Sequence, residues 1–298
     1  MVEIDWHSRD EEADIDRVRE LLLAVQAADG RPEIAGSGPL PREFRGGEHA
    51  LATSGGSAFG YLHLDTTGDT YGRQVAELYV HPDHRARGIG NRLVAELVRR
   101  ARVTDGHGDR LRAWSHGDHP AAAVLAGRHG FERVRELRQM RLQLAVGRLP
   151  EPRLPAHVRL RTFQPGADER AVSRVNAHAF SWHPEQGALT AADIAATERE
   201  SWFDPNGFFL AEAAGKLVGF HWTKVHPDGI GEVYVVGVDP AAQGGGLGKA
   251  LTVVGLRYLA AQGLREVMLY VESDNPAAIA VYQKLGFVVA TVDVQYSR

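Results

Sequence analysis

The strongest constraint on the fold is an internal duplication. The segments ELYVHPDHRARGIGNRLVAELVRRA (77–101) and VYVVGVDPAAQGGGLGKALTVVGLRYLA (233–260) both contain an apolar strand-like stretch, an X-Pro dipeptide, a glycine-rich turn and an amphipathic stretch. Glycine and proline mark the turn, and apolar residues at helical spacing predict a helix after it. Because the pattern recurs in the same order, it indicates one structural unit that is present twice.

Three further elements follow in each half: a second strand, a helix rich in small residues that stops at Gly-Phe, and a final strand. They lie at 111–117, 119–131 and 135–144 in the first half, and at 267–273, 275–287 and 288–296 in the second. Glycine commonly follows the end of a helix because it adopts the left-handed backbone without a steric penalty. The matching order of these elements favours duplication over chance.

Each half begins with a helix and a hairpin. Apolar periodicity predicts helices over 13–28 and 168–180, and strand-like runs around glycine turns predict hairpins. The hairpins lie at 49–65, with a turn at Gly55-Gly56, and at 207–225, with a turn at Gly215-Lys216. The sequence therefore predicts an α/β fold of the α+β type, with a mixed sheet, that occurs as two tandem domains.

Prolines at positions 150, 152 and 155 separate the two halves. We expect an N-terminal domain at residues 1–146, a linker at 147–157 and a C-terminal domain at 158–298. A chain of 298 residues has enough length for two domains of about 150 residues each.

Composition narrows the class of function. The net charge of −4 argues against a general nucleic-acid binder, which would carry a basic face. The chain has no apolar run of about 18 residues that could span a membrane, and its polar, acidic N-terminus differs from a signal peptide. It has no cysteine, and His81, His84, His116 and His119 lack metal-ligand spacing. We expect a cytoplasmic monomer that uses no metal, nucleic acid or membrane.

Four glycines lie between the strand and the helix of the second half, in the loop Gln243–Lys249. The N–H groups at the start of a helix attract anions, and glycine lets a phosphate approach the backbone closely. The lysine-Ser/Thr pair of a nucleotide-binding P-loop is missing, because Ala250 follows Lys249. The loop alone therefore fits either a phosphate site or a tight turn without a ligand.

Two motifs together resemble the acetyl-coenzyme A site of the Gcn5-related N-acetyltransferases. The first is [Arg/Gln]-x-x-Gly-x-[Gly/Ala] between a strand and a helix, and the second is Asn-x-x-Ala-x-x-x-Tyr-x-x-x-Gly-Phe. The segment NPAAIAVYQKLGF fits the second motif at Asn275, Ala278, Tyr282, Gly286 and Phe287. Finer segments, such as HPEQG and GFHWTKVHPD, are similar to members of this family that acetylate the cysteine amine of a cysteinyl-glucosaminyl-inositol, a small pseudo-disaccharide. The resemblance covers nearly the whole chain.

The resemblance implies that acetyl-coenzyme A is the co-substrate. In the C-terminal domain the matching coenzyme residues are Val236, Gly237, Val238, Gln243, Gly244, Gly245, Gly246, Leu247, Gly248, Lys249, Asn275 and Ala278. The N–H group of Val236 matches the donor to the thioester carbonyl, and Gly237 in an apolar strand favours a bulge there, or simply a packing site. The family often has arginines where Gly244 and Gly245 stand, so we expect weaker coenzyme binding.

Catalytic and acceptor-binding roles also follow from the resemblance. Glu232 matches the base, which acts through water and binds the acceptor amine, and Tyr282 matches the acid for the leaving thiolate. Glu185, Lys224 and Tyr270 match further contacts with the acceptor. A family glutamate in the N-terminal segment falls on Gly36, with Glu33 nearby. Taken without the resemblance, each of these residues fits a solvated or a packing role.

The N-terminal half tests these roles. Its phosphate-loop and strand residues match coenzyme contacts at Leu78, Tyr79, Val80, Arg85, Arg87, Gly88, Ile89 and Gly90. Glu232 aligns with Gln74, and Tyr282 aligns with Ala126. We therefore expect an N-terminal domain that holds acetyl-coenzyme A without turnover. Two other functions stay open: acetylation of another small-molecule amine, and non-catalytic binding of acyl-coenzyme A.

Overall fold

The structure, a computed structural model, describes residues 2–7, 12–32, 34–41, 44–69, 72–105, 111–144, 149–183 and 186–298. Glu185 and Glu33 lie outside the described residues. The chain forms two compact units, of which unit 1 comprises Met1–Leu137 with Thr291–Arg298, and unit 2 comprises Arg138–Ala290. Within the described residues, no helix is both long enough and apolar enough to cross a bilayer.

Unit 1 contains a mixed sheet covered by helices. In chain order its elements are β1 (Glu3–His7), α1 (Glu12–Asp29), β2 (Glu48–Ser54), β3 (Ser57–Asp65), β4 (Gln74–Val80), α2 (Ile89–Asp105), β5 (Leu111–Ser115), α3 (Pro120–Arg128) and the start of β6 (Glu132–Gln143). The strands are ordered β1, β2, β3, β4, β5 and β12 (Val288–Ser297), so the last strand of the chain completes this sheet.

Unit 2 repeats this plan. Its elements are β7 (Val158–Thr162), α4 (Glu169–Ala179), α5 (Ala191–Thr197), β8 (Phe208–Ala213), β9 (Lys216–Val225), β10 (Gly231–Val238), α6 (Leu247–Ala261), β11 (Glu266–Glu272) and α7 (Pro276–Lys284). The strands are ordered β6, β11, β10, β9, β8 and β7. The β8–β9 turn lies at Ala214-Gly215, one residue earlier than predicted, and both residues have positive φ, as a tight hairpin turn requires.

The two halves of the sequence exchange their final strands. Val294–Ser297 of β12 pair with Arg112–Ser115 of β5, inside unit 1. Gln139 and Arg141 of β6 donate hydrogen bonds to Tyr270 and Glu266 of β11, inside unit 2. The compact units therefore differ from the sequence halves by these segments. The predicted helices and strands occur in the predicted order, but β7 and α5 were not predicted.

A parallel strand pair diverges in each unit. The β4–β5 register runs from Gln74↔Leu111 to Glu77↔Trp114. The β10–β11 register ends after Gly231↔Val267 and Glu232↔Met268, with no further rung among the described residues. Beyond these points the strands separate, so main-chain groups along the second parts of β4 and β10 lose a partner strand and border an open wedge.

Unit 2 buries a neutral histidine beneath α6. His221 is fully buried, and its Nδ1 lies 2.7 Å from the carbonyl oxygen of Leu251. Burial lowers the pKa of His221 to about 4, because the charged form would lose its water. A Cβ atom on Gly255 would lie 2.0 Å from Cε1 of this ring, so the glycine provides the space that the ring fills.

Unit 1 contains a charged cluster that includes the exchanged strand. His116 Nε2 lies 3.1 Å from Glu77 of β4, and its Nδ1 lies 3.3 Å from Asp293 of β12. Burial alone would lower the pKa of His116, but the charge of Glu77 and the contact with Asp293 raise it to about 10. Arg31 also lies 3.9 Å from Asp293. The imidazolium therefore joins the exchanged strand to the sheet of unit 1.

This cluster predicts a loss of stability at alkaline pH. The pKa of His116 is raised above the value of about 6.5 expected in the unfolded chain, so its stabilisation is complete below pH 6.5. It declines as pH rises and is lost above about pH 10. Between pH 6 and 10, calorimetry should show that the free energy of unfolding declines more steeply for the wild type than for His116→Gln. The prediction is contradicted if the free energies of unfolding of the wild type and His116→Gln fall in parallel with pH. It is also contradicted if the control His129→Gln reduces the slope as much as His116→Gln does.

Candidate active site

The wedge beside β10 presents two main-chain donors. The N–H of Asp239 donates to the Val218 carbonyl at 2.9 Å, and N–H groups along an antiparallel strand alternate between its two sides. The N–H groups of Val236 and Val238 therefore point away from β9, toward the side where β11 has separated. The sequence placed a donor at Val236, and the geometry puts that N–H at the wedge.

The bulge in β10 is not where the sequence placed it. The register with β9 shifts between Val233 and Val235, so the extra residue is Tyr234, and the prediction of a bulge at Gly237 is wrong. Gly237 pairs regularly with Phe220, and a Cβ atom there would lie 2.6 Å from that ring. The glycine is thus required for close packing of an aromatic ring and not for the irregularity of the strand.

The loop Gln243–Lys249 has a backbone with positive φ angles and open space beside two of its glycines. Gly244 has φ 89° and Gly246 has φ 79°, and a Cβ atom at either would meet open space. Gly246 is the N-cap of α6 and provides no side-chain cap, so the first N–H groups of the helix stay available to an anion. Gln243 donates from Nε2 to the Val238 carbonyl at 3.1 Å, which connects the loop to the end of β10.

The loop of unit 1 has the same construction. Arg85 donates from Nε to the Val80 carbonyl at 3.2 Å, as Gln243 does in unit 2, and its guanidinium pairs with Asp29. Ala86 takes the place of Gly244 with φ 60°, and Gly88 takes that of Gly246 with φ 81°. The first residue of the [Arg/Gln]-x-x-Gly-x-[Gly/Ala] motif therefore braces the loop in both units, and Arg85 is already paired with a carboxylate.

Glu232 is a buried carboxylate at the start of the wedge. Only 6% of its surface is exposed, and Oε2 lies 2.8 Å from Nε2 of His226. The other carboxylate oxygen has no hydrogen-bond partner among the residues that the structure describes. A buried carboxylate with one oxygen held and one oxygen open has the arrangement that a positioned base requires. His226 was not predicted, and only its proximity in sequence to Lys224 could have suggested it.

Lys224 lies opposite Glu232 on the neighbouring strand. Its ammonium lies 5.0 Å from the ring centre of Trp202 and 5.5 Å from that of Tyr234. Cations are attracted to the faces of aromatic rings at such distances, so the two rings hold the ammonium in place. Trp202 and Tyr234 were also missed in the sequence, because Tyr234 reaches Lys224 from the bulge that was placed elsewhere.

Tyr282 of α7 packs against the core cluster of unit 2 that includes Val233 of β10 and Leu269 of β11. Tyr282 is half-buried, packs against Phe287 at 5.8 Å, and makes no hydrogen bond to any described residue. Burial raises the pKa of its hydroxyl to about 12. Asn275 caps α7 by accepting from the N–H of Ala278 at 3.1 Å, so these two predicted coenzyme residues bind each other. Tyr270 accepts a hydrogen bond from Gln139 at 2.9 Å.

Unit 1 has other residues at the positions of Glu232 and Tyr282, and it contains a cavity. Gln74 and Ala126 occupy the positions of Glu232 and Tyr282. A cavity of about 480 Å³ opens at the wedge, and the predicted coenzyme residues that line it are Leu78, Tyr79, Val80, Arg85, Gly88, Ile89 and Gly90. Arg87 is exposed and is not among the lining residues.

Comparisons with known proteins agree with the duplicated fold. The acetyltransferase (GNAT) family model matches residues 175–287, and an acetyltransferase (GNAT) domain model matches residues 45–133. A GCN5-related N-acetyltransferase from Sphaerobacter thermophilus superposes with a TM-score of 0.75 at 25% identity, covering 99% of this chain and 95% of that one. A tandem GNAT protein from the clavulanic acid biosynthesis pathway has a TM-score of 0.72 at 22% identity, covering 99% and 98%. The prediction of two tandem domains of this fold is confirmed.

Full-length relatives define the family. A mycothiol acetyltransferase from Amycolatopsis mediterranei is 57% identical over 302 residues, covering 99% of this chain and 98% of that protein. Another, from Saccharomonospora viridis, is 58% identical over 304 residues and covers 97% of each chain. With two acetyltransferase domains and relatives of this identity over its whole length, the chain belongs to the mycothiol acetyltransferase family of GNAT enzymes.

Proposed function

We propose that unit 2 transfers the acetyl group of acetyl-coenzyme A to the cysteine amine of the cysteinyl-glucosaminyl-inositol, the last step of mycothiol biosynthesis. The observation that carries the proposal is the buried carboxylate of Glu232, held by His226 where β10 and β11 separate. The names of the full-length relatives support the choice of acceptor.

Each proposed step uses a side chain or a main-chain group of unit 2. The free oxygen of Glu232 takes a proton from the acceptor ammonium, directly or through water, which leaves a neutral amine. The amine nitrogen attacks the thioester carbonyl carbon, and the Val236 N–H donates to the oxygen that becomes negative. The C–S bond then breaks and releases the coenzyme A thiolate, while the attacking nitrogen loses its second proton to water and becomes the amide. The Tyr282 hydroxyl faces the departing sulfur. Lys224 and Tyr270 are proposed contacts with the polar acceptor, as is Glu185.

The raised pKa of Tyr282 refines its role. A phenol with a pKa of about 12 keeps its proton throughout the physiological range. Full transfer to a thiolate, whose conjugate thiol has a pKa of about 8.5, is unfavourable from such a phenol. We therefore propose that Tyr282 stabilises the leaving sulfur by a hydrogen bond, and that the proton arrives from solvent after the products separate.

The backbone between Gln243 and Lys249 is the proposed cradle for the coenzyme pyrophosphate. Gly245 has an ordinary φ, and a Cβ there would meet only Pro155 at 3.7 Å. We expect Gly245→Arg to lower the dissociation constant for acetyl-coenzyme A by roughly tenfold, because a hydrogen bond to a charged group contributes about 1.5 kcal/mol. Calorimetric titration of the wild type and the variant with acetyl-coenzyme A measures the dissociation constant of the site in unit 2.

Gly244→Arg is the matched comparison. The family often has arginine at both positions, but Gly244 has φ 89°, where a side chain is strained. We expect Gly244→Arg to improve coenzyme binding less than Gly245→Arg and to lower the melting temperature. An unchanged or raised dissociation constant for Gly245→Arg would show that the pyrophosphate does not lie against this loop.

Unit 1 is proposed to hold an acyl-coenzyme A without turnover. Its glycine loop has the same backbone as that of unit 2, and its wedge opens into the cavity. Gln74 cannot act as a base, and Ala126 provides no hydroxyl for the leaving sulfur.

The acceptor is tested by a panel of amines. The enzyme is incubated with acetyl-coenzyme A and either cysteinyl-glucosaminyl-inositol, glucosaminyl-inositol or a polyamine, and the products are identified by mass spectrometry. We expect N-acetylation of the cysteinyl compound alone. Acetylation of another amine would leave the reaction type intact but overturn the acceptor, and coenzyme binding without any turnover would favour a binding module.

A further inference from the structure

The cavity of unit 1 extends beyond the predicted coenzyme residues. Its lining includes Leu97 of α2, Phe131 and Tyr296, all of which are buried in the core of unit 1. Most of the lining is carbon, and the volume of about 480 Å³ lies within the usual range for small-molecule sites. The cavity therefore joins an anion-binding loop to an apolar interior space.

The duplicated unit explains where this space comes from. In unit 2 the N–H of Phe287 donates to the Tyr282 carbonyl at 3.1 Å, and the two rings are in contact. In unit 1 the N–H of Phe131 donates to the Ala126 carbonyl at 2.9 Å, so the two backbones correspond. Ala126 has a methyl group where unit 2 has a phenol ring. The space that the ring occupies in unit 2 is thus part of the cavity in unit 1.

We infer that unit 1 binds an acyl-coenzyme A with an alkyl chain longer than acetyl, and that the chain occupies the space beside Ala126 and Phe131. The inference rests on the proposed coenzyme binding by the loop of unit 1. In the proposed mechanism the Tyr282 hydroxyl faces the thioester sulfur, so the space at Ala126 lies where an acyl chain leaves the thioester. Acetyl would leave this apolar space empty, and a longer chain would fill it.

The charge of His116 at the cavity wall does not select an acyl chain that ends in a carboxylate. His116 lines the cavity, but its two ring nitrogens face Glu77 and Asp293. Its positive charge is therefore already compensated and does not attract a carboxylate at the end of an acyl group. Since burial of one methylene group is worth about a fourfold gain in affinity, each added carbon should strengthen binding until the space is full.

The test is a chain-length series on the full chain. Gly245→Glu places a carboxylate in the loop of unit 2 and weakens coenzyme binding there, which leaves unit 1 as the site measured. Calorimetric titration then compares acetyl-, butyryl- and hexanoyl-coenzyme A. We expect hexanoyl-coenzyme A to bind at least about tenfold more tightly than acetyl-coenzyme A, with butyryl-coenzyme A between them. Equal or weaker binding of the longer chains would overturn the inference.

Two variants locate the effect. Ala126→Tyr restores the ring of unit 2 and should remove most of the preference for hexanoyl while changing acetyl affinity less than about threefold. A preference that survives this change places the chain elsewhere and overturns the inference. If Ala126→Tyr does not fold, as judged by its melting temperature, the chain-length series on Gly245→Glu, which keeps Ala126, still tests the preference for a longer chain.

The experiment gives a different result if the loop of unit 1 does not bind a coenzyme at all. Arg87→Glu places a carboxylate in the loop of unit 1 and should abolish the binding that remains in Gly245→Glu. If Gly245→Glu binds none of the three coenzymes, coenzyme binding by unit 1 is wrong and the inference fails with it. If it binds all three equally and Arg87→Glu removes that binding, the site exists and only the preference for a longer chain is wrong.

Discussion

Replacing Glu232 by glutamine is expected to lower kcat for acetyl transfer by roughly 10²- to 10⁴-fold, the usual contribution of a positioned base. The substitution keeps the size of the side chain and its hydrogen bond to His226, but it removes the group that accepts the proton of the ammonium. The dissociation constant for acetyl-coenzyme A should change little, because the pyrophosphate is proposed to lie on the loop. Steady-state kinetics and calorimetric titration measure the two quantities separately.

His226 provides a graded comparison. His226→Gln can still donate a hydrogen bond to Oε2 of Glu232, whereas His226→Phe cannot. We expect His226→Phe to lower kcat by about tenfold and His226→Gln to lower it less. Combining either substitution with Glu232→Gln should lower kcat no further than Glu232→Gln alone. The matched control for Glu232→Gln is Gln74→Ala in unit 1, which should leave turnover unchanged. Turnover of Glu232→Gln close to that of the wild type would exclude Glu232 as the base.

The largest effect on stability is expected for Gly255→Ala. The new Cβ would lie 2.0 Å from Cε1 and 2.3 Å from Nδ1 of His221, a ring that is fully buried. Overpacking of a core costs about 1–3 kcal/mol, and here the ring would also be moved from its contact with the Leu251 carbonyl, so we expect about 3 kcal/mol. For a unit of this size that lowers the melting temperature by roughly 6–12 °C, which calorimetry measures.

Two variants test the cause. Gly127→Ala in α3 is the same substitution in a helix, but its Cβ would meet open space, and it should be neutral or slightly stabilising. The double variant Gly255→Ala/His221→Ala removes the ring that clashes, so its stability should lie close to that of His221→Ala alone. If Gly255→Ala is as stable as the wild type, the His221 ring adopts another conformation that avoids the new Cβ atom without cost.

Sequence periodicity predicted the helices and strands because each is a local pattern. The predicted helix at 168–180 forms as Glu169–Ala179, and the predicted strand at 267–273 forms as Glu266–Glu272. Glycine and proline placed the turns to within one residue, since they restrict or relax the backbone dihedrals directly. The family resemblance added roles for Glu232 and Tyr282 that no single residue could have indicated.

The sequence by itself determined the duplicated order of elements and the positions of the two glycine loops, because helical spacing, strand runs and glycine turns are local properties. Only the tertiary structure decided which final strand joins which sheet, since β6 and β12 occupy the same place at the end of their sequence halves and pairing with β5 or β11 depends on distant residues. It also placed the bulge at Tyr234, through pairing with β9. It brought His226 to Glu232 and Asp293 to His116, because contacts between distant residues depend on packing that local patterns do not encode.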